Sequence, residues 1–222
     1  MATSKSALQW LEGERDIATF ENMASRYGIH TDRAFGVPMA RMKVLAKELG
    51  IDHNVAAELW ASGWYEARIV ASMVDDAAVV TGEQMDAWCE DFDNWAIVDT
   101  VCFNLFDRTA HAWSKVDKWA ASDREFIKRA AFALLWSLAL HDRAATDDLF
   151  VHGLALIERE AGDGRHLVDK AVGMALKAIG KRRSTLTVAA VSVADRLAAS
   201  DDPAARRVGR PALNELRRSA EK

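Results

Sequence analysis

The fold is decided by a pattern that residues 88–99, WCEDFDNWAIVD, show most clearly. Spacing of apolar residues predicts a helix over 81–92, and a second helix over 94–106 follows after a very short link. The same order, with an apolar residue late in one helix and a polar residue early in the next, occurs at three other places. The polar residues are Arg68, Asp99, Arg129 and Lys170, separated by 31, 30 and 41 residues. These separations are close to the unit length of helical-repeat solenoids.

Helical periodicity continues over most of the chain. The predicted helices are 7–27, 39–49, 53–62, 64–75, 81–92, 94–106, 110–121, 123–141, 145–160, 164–180, 183–199 and 203–219. Short links predict that consecutive helices pack as antiparallel pairs, although a repeat without a strict consensus also fits an ordinary helix bundle. In stacked pairs the second helices line one side, so the four polar residues would form a row suited to a polyanion.

Composition excludes several classes of protein. Of the 222 residues, 50% are hydrophobic and 28% charged, which is typical of a globular chain and not of a disordered one. The sequence has no apolar run of the length that a membrane span needs. With 12 glycines and 3 prolines it also has few turn residues for a β-sandwich or barrel. We therefore expect an all-α protein with a single domain over residues 1–222.

Charge is unevenly distributed along the chain. The net charge of −4 argues weakly against a nucleic-acid partner. Residues 1–159, however, hold 16 Lys and Arg against 25 Asp and Glu, whereas residues 160–222 hold 13 against 8. The basic end suits a polyanion, and ordinary solvated helix faces are the alternative interpretation.

Common signatures of metal, cofactor and hydrolase sites are absent from the sequence. The six histidines have no metal-ligand spacing, and neither a Gly-rich phosphate loop nor a nucleophile-elbow motif occurs. We expect no metal and no cofactor. Cys89 and Cys102 fit neither a disulfide framework nor a metal site, so we expect two buried free thiols and a cytoplasmic location. The N-terminus has no apolar export segment.

Eight tryptophans are the most unusual feature of the composition. Trp95 stands out because it lies four residues before Asp99, which places both on one helix face. An indole beside a carboxylate offers an aromatic surface for a sugar or a cationic base and a negative charge to stabilise it. Local capping or pairing of Asp99 with an arginine is the other interpretation. Six tryptophans are predicted to serve packing: Trp10, Trp60, Trp88, Trp113, Trp119 and Trp136.

Several short stretches together resemble one known family. They are residues 35–38, 66–68, 93–99, 128–131, 146–150, 170–173 and 179–182. In this order they make the chain similar to the AlkD-like family of DNA alkylation repair proteins, from about Tyr27 to Leu197. The resemblance implies a right-handed all-α solenoid of HEAT-like two-helix repeats with a concave basic face for duplex DNA. It also implies a DNA glycosylase that excises cationic N3- and N7-alkylated purines without flipping the base into a pocket.

The resemblance also assigns roles to individual residues. Asp99 corresponds to the catalytic aspartate, Trp95 to the first of two tryptophans that contact the lesion-bearing sugar, and Arg129 to a phosphate-binding arginine. The second tryptophan corresponds to Met174, whose thioether lacks an aromatic face. This departure favours a second interpretation, a non-catalytic protein that binds damaged or branched DNA. The acidic N-terminal half suggests a third, a scaffold that binds other proteins.

Other basic residues complete the expected DNA-binding set. They are Arg68, Lys128, Lys170, Lys181, Arg182 and Arg183, with Arg206, Arg207, Arg210, Arg217 and Arg218 further along the chain. A solvated terminal face is the alternative for residues 181–183 and for the later positions, above all Arg217 and Arg218. Phosphate contacts carry no sequence information, so we expect binding to be largely independent of sequence. The expected partner is duplex DNA with alkylated bases, and we expect the protein to bind it as a monomer. No membrane partner is expected. The expected location is the cytoplasm, with association to the nucleoid when the protein acts on DNA.

Overall fold

The computed structural model of the protein describes residues 3–220, and these residues form helices without any β-strand. Thirteen α-helices and one 3₁₀ helix, Phe106–Arg108, occur in this range. The α-helices are α1 (Ser4–Gly13), α2 (Ile17–Tyr27), α3 (Met39–Leu49), α4 (His53–Ala61), α5 (Tyr65–Val74), α6 (Gly82–Glu90), α7 (Trp95–Asn104), α8 (Ala112–Ala120), α9 (Glu125–His141), α10 (Asp147–Glu160), α11 (His166–Gly180), α12 (Ser184–Ala199) and α13 (Pro203–Ala220). The expectation of an all-α protein is confirmed.

The described residues form two compact units, the first ending at Ala110 and the second beginning at His111. In the first unit α5 is central, because it packs against α3, α4 and α7. In the second unit the pairs α8–α9, α10–α11 and α12–α13 follow one another. Their first helices contact in the order α8, α10, α12, and their second helices in the order α9, α11, α13. This is the stacking of helix pairs that the sequence repeat predicts.

The second unit contains one more polar residue at the predicted position within a second helix. Asp99, Arg129 and Lys170 are each the fifth residue of their helix, and Arg68 is the fourth of α5. The pair α12–α13 adds a further second helix, in which Arg207 is the fifth residue. The repeat of polar positions therefore continues beyond Lys170, the last residue of the predicted set, into the pair α12–α13.

The single helix predicted over 7–27 is wrong, because the structure divides it into α1 and α2. The Asp16 side chain accepts a hydrogen bond from the Thr19 amide at 2.6 Å and caps a new helix start. The two helices do not share one buried stripe, since Ile17 is 70% exposed and Phe20 is 36% exposed. Capping by Asp16 therefore overrides the apolar spacing here.

Several predicted packing residues lie in the core. Trp60 and Trp88 are buried and stack with ring centroids 4.0 Å apart at an interplanar angle of 2°. Trp119 is buried as well. Cys89 and Cys102 are buried free thiols, as expected from the sequence.

Candidate functional site

Trp95 and Asp99 lie on the first two turns of α7, and both are partly exposed. The helix begins here because the buried Asn94 side chain accepts hydrogen bonds from the amides of Ala96 and Ile97, at 3.1 and 3.0 Å. An asparagine cap of this kind fixes the first turn of a helix. The predicted shared face is therefore built on a firmly capped helix start.

The indole of Trp95 is fixed by a main-chain contact. Its Nε1 donates a hydrogen bond to the carbonyl oxygen of Tyr27 at 2.9 Å. The ring also packs against a small core cluster that includes Met23 and Ile29, and Tyr65 packs against the same cluster. Burial, with the nearby carboxylates Glu66 and Asp93 in addition, raises the pKa of Tyr65 to about 12. The Tyr65 phenol is therefore neutral over the physiological range.

The segment that follows Tyr27 is anchored by a buried carboxylate. Glu66 of α5 is fully buried and accepts hydrogen bonds from the amides of Phe35, Gly36 and Val37 at 2.7 to 3.2 Å. Charge-assisted hydrogen bonds of this kind offset the cost of burying a carboxylate. Two stretches that carry the family resemblance, 35–38 and 66–68, are thus joined by the hydrogen bonds of one carboxylate. Their role in this structure is to hold the loop against α5.

Arg68 fastens the link that leads into α7. Its Nη1 donates to the Asp91 carbonyl at 3.0 Å, and the guanidinium lies 3.6 Å from the Asp91 carboxylate and 3.9 Å from that of Asp93. The guanidinium also lies over the Trp60 ring, 5.0 Å from its centroid. Only 14% of the side chain is exposed. Arg68 therefore positions the residues before Trp95, and a DNA contact by Arg68 stays a prediction.

Lys128 and Arg129 are both buried in the second unit. Lys128 lies 2.7 Å from Glu160 and 3.0 Å from Asp163. Burial pulls the pKa of Lys128 down, but the hydrogen bonds to these two carboxylates outweigh it and the pKa is raised. Arg129 is 3% exposed and donates to the carbonyl of Leu167 at 2.6 Å. Both cations are engaged within the protein, so their phosphate contacts stay predictions.

The basic run 181–183 divides its side chains between different partners. Lys181 pairs with Glu215, and Arg183 pairs with Asp147 at 2.8 Å. Lys181 and Arg183 are both exposed, so each ion pair contributes little to stability, and another anion can replace the carboxylate partner. Arg182 is different because it turns inward and donates hydrogen bonds to main-chain carbonyls at the end of α9.

Lys170 and Met174 lie together on α11, where they line a groove between α11 and α13. The groove has a volume of about 790 Å³. Lys170 is exposed and Met174 is partly buried. Arg206, Arg207 and Arg210 of α13 also line this groove, because α13 packs on α11. The sequence predicts these arginines only as part of a basic segment, since their position opposite Met174 depends on that packing. We call this groove the α11–α13 groove.

Charge differs strongly between the two units. Residues 1–110 contain 9 Lys and Arg against 18 Asp and Glu, whereas residues 111–222 contain 20 against 15. The positive excess is therefore a property of the second unit. No cluster of three or more His, Cys, Asp or Glu that could hold a metal ion occurs in residues 3–220. None of the helices described has the length and apolarity that a membrane span requires.

Comparisons with known proteins agree with this architecture. No curated protein matches the chain. One solved structure matches with a TM-score of 0.78 and 24% identity, over 87% of this chain and 83% of that one. It belongs to a family of proteins related to the HEAT-like repeat DNA glycosylases with affinity for branched DNA structures. This likeness shows that the chain has the HEAT-like repeat fold.

The sequence also matches a family model over almost its whole length. The model describes the DNA alkylation repair enzymes, and the match covers residues 7–215. It therefore includes α7 with Trp95 and Asp99 as well as the α11–α13 groove with Met174. The chain belongs to the DNA alkylation repair enzyme family.

Proposed function

We propose that the chain binds duplex DNA and excises cationic N3- and N7-alkylated purines by hydrolysis of the N-glycosidic bond, without flipping the base into a pocket. One observation carries this proposal: α7 presents a fixed indole and, one turn later, a carboxylate, both partly exposed. Family membership supports the same activity.

The proposed reaction needs few catalytic groups. An alkylated purine of this type is already cationic, so the bond from C1′ to nitrogen breaks with the electron pair leaving on a neutral base. Positive charge then develops on the sugar, where a fixed carboxylate stabilises it electrostatically. Asp99 would supply this charge and orient a water molecule that adds to C1′, and its carboxylate would accept the proton that this water gives up. Trp95 would pack against the sugar.

The excision assay tests this assignment directly. The protein is incubated with methylated duplex DNA, and released 3-methyladenine and 7-methylguanine are measured. Asp99→Asn should lower the single-turnover rate by about 100-fold or more, because loss of one preorganised electrostatic group has effects of this size. Asp123→Asn is the matched control, since it removes one exposed carboxylate at a distance in sequence. Release that persists undiminished in Asp99→Asn would contradict the catalytic role.

Met174 favours a second candidate function, binding of damaged or branched DNA without excision. The side chain faces the α11–α13 groove, and an aromatic platform for the sugar is lacking at this position. The groove has space for an indole, so Met174→Trp is a feasible substitution. If the wild type binds DNA without releasing bases, and Met174→Trp does not release them either, the non-catalytic function is supported. A gain of excision in this variant would show that the remaining machinery is intact.

A further inference from the structure

Helix α2 ends at Tyr27, yet it buries little of its own surface. Of its 11 residues only Met23 is buried. Ile17 is 70% exposed, and Tyr27 is 49% exposed. Packing supplies most of the stability of a helix in a protein, so a helix with one buried residue is weakly fixed by its own side chains. The position of α2 therefore depends on the segments joined to it.

The loop that follows α2 supplies this attachment. We call residues 28–38 the α2–α3 loop. The Asp16 amide at the start of α2 donates to the Phe35 carbonyl at 3.2 Å. The Ile29 amide donates to the Met23 carbonyl at 2.8 Å, and the Ile29 side chain is buried in the cluster against which the candidate site's indole packs. Both ends of α2 are thus tied to this loop.

Two adjacent residues of α5 hold the α2–α3 loop in turn. The Tyr65 amide donates to the Arg33 carbonyl at 2.8 Å. The fully buried carboxylate of Glu66 accepts hydrogen bonds from three consecutive buried loop amides, Phe35 to Val37. A buried amide without an acceptor is costly, so removal of this carboxylate should detach the loop rather than leave it in place.

We infer that Glu66 is a positioning residue for base excision. It acts through the α2–α3 loop and the end of α2 on the Tyr27 carbonyl, which accepts the hydrogen bond from the Trp95 indole at 2.9 Å. Because Glu66 is fully buried, it acts without touching DNA. The inference rests on the excision proposed above, in which Trp95 packs against the sugar, and it adds the group that fixes the direction of the indole.

Loss of Glu66 should affect excision more than binding. Reactions that depend on exact placement lose up to about 100-fold in rate when a group moves by about 1 Å. Affinity for DNA comes mainly from phosphate contacts, and the positive excess lies in the second unit, away from the α2–α3 loop in the chain. The predicted defect is therefore in the step after binding.

Single-turnover release of 7-methylguanine at saturating protein, with the Kd from anisotropy, separates the two effects. Glu66→Ala should lower the rate by about 30-fold, within the range for a misplaced group. Its Kd should change by less than about threefold, because the phosphate contacts are kept. Glu66→Gln should recover most of the rate, since its amide oxygen can replace Oε1, which accepts from all three loop amides.

A spectroscopic signal reports the indole directly. Labelling with 5-fluorotryptophan gives one ¹⁹F NMR signal for each of the eight tryptophans, and Trp95→Phe identifies the signal of Trp95. This signal should shift or broaden in Glu66→Ala and return toward its wild-type position in Glu66→Gln. The signal of Trp119, which is buried in the second unit, should stay in place.

Leu186→Ala is the control for lost stability. Leu186 is 1% exposed and belongs to α12 of the second unit, so its truncation leaves a cavity far along the chain from the α2–α3 loop. Urea unfolding checks that this variant and Glu66→Ala are destabilised, and circular dichroism checks that both are folded in the assay. Leu186→Ala should retain the wild-type rate and the Trp95 signal.

The outcomes separate this inference from the proposed function. If folded Glu66→Ala keeps the wild-type rate and Trp95 signal, or if Leu186→Ala loses as much rate, the positioning role is wrong while excision stands. If Glu66→Ala does not fold, Glu66→Asp decides, because a carboxylate retracted by one methylene should still shift the Trp95 signal; an unshifted signal would contradict the role. If wild type releases no base, the proposed excision fails, and the Trp95 signal still shows whether Glu66 directs the indole.

Discussion

At the scale of single residues, the loop that reaches Trp95 depends on one glycine. Gly36 has φ +79°, in the left-handed region, and lies among the amides that Glu66 binds. A Cβ at this position would collide with the carbonyl oxygen of Asp16 and lie 2.8 Å from the amide nitrogen of Phe20. Both the backbone conformation and the close approach of α2 therefore require glycine.

Gly36→Ala should lower the free energy of unfolding by more than about 2 kcal/mol, since backbone strain and a main-chain collision act together. Urea unfolding measures the change. Gly28→Ala is the matched comparison, because Gly28 has φ +63° but no atom within 4 Å of an added Cβ. It should cost only the strain, about 1 kcal/mol. Equal losses in the two variants would show that the collision is relieved.

At the scale of elements, Arg182 binds the C-terminal end of α9. Its Nη1 donates to the Ala139 carbonyl at 2.9 Å, and its Nη2 donates to the Asp142 carbonyl. The guanidinium also lies over the Phe150 ring, 4.4 Å from its centroid. A cation at a helix C-terminus is favourable, and the planar fork of arginine reaches two carbonyls at once. Burial lowers the pKa of Arg182 from its ordinary value.

Replacement of Arg182 should therefore destabilise the protein more than replacement of its neighbour. Arg182→Ala should cost about 2–3 kcal/mol, because it leaves carbonyls and packing without their partner. Arg182→Lys should recover only part of this loss. Arg183→Ala removes an exposed ion pair and should cost less than about 1 kcal/mol. Urea unfolding compares them, and equal stability of Arg182→Ala and Arg183→Ala would contradict the capping role.

The link between α10 and α11 contains a carboxylate, Asp163, whose protonation makes the stability of the fold depend on pH. Asp163 accepts hydrogen bonds from Arg165, and these, with a contribution from Lys128 and against the effect of burial, lower the pKa of Asp163 to about 2. The ordinary value is 3.8. The unfolded state therefore binds the proton more readily than the folded state. Asp163 stabilises the fold above about pH 4, and this stability is lost as the pH falls toward about 2.

Asp163→Asn should lower the free energy of unfolding at neutral pH by on the order of 2 kcal/mol, given the size of this pKa shift. The difference from wild type should shrink as the pH falls from about 4 toward 2. Urea unfolding at a series of pH values measures it. Asp195→Asn is the control, since that carboxylate is 63% exposed and pairs with exposed Arg217. A difference that does not change with pH would rule out this linkage.

At the scale of the whole molecule, charge separates the two units. The positive excess is confined to residues 111–222, which include the α11–α13 groove, while residues 1–110 are strongly acidic. DNA binding by such a chain depends on a limited set of phosphate contacts. With three to four contacts, affinity should fall by about 40- to 150-fold between about 50 and 200 mM KCl. Anisotropy titrations measure this slope, and an affinity independent of salt would contradict electrostatic binding.

Much of the architecture could be predicted from local signals. Apolar spacing, short links and the recurrence of a polar residue early in each second helix predict the helix pairs, and Asn94 marks the start of α7. Side-chain destinations could not be predicted in the same way. Arg129 and Lys170 occupy equivalent positions in their helices, yet Arg129 is buried and Lys170 is exposed. Exposure depends on how neighbouring helices pack, which residue spacing within one helix does not determine.

The contact between Trp95 and Tyr27 has a consequence for mutagenesis. The acceptor is a main-chain carbonyl, so exchanging the Tyr27 side chain leaves the oxygen in place. The direction of that oxygen is set instead by the peptide plane shared with Gly28, which has φ +63°. Alanine scanning would therefore show no loss of this hydrogen bond at residue 27. Rotation of the peptide plane between Tyr27 and Gly28, in contrast, would move the acceptor of the Trp95 indole, which lies 68 positions further along the chain. The orientation of the Trp95 indole therefore depends on the backbone conformation at the end of α2.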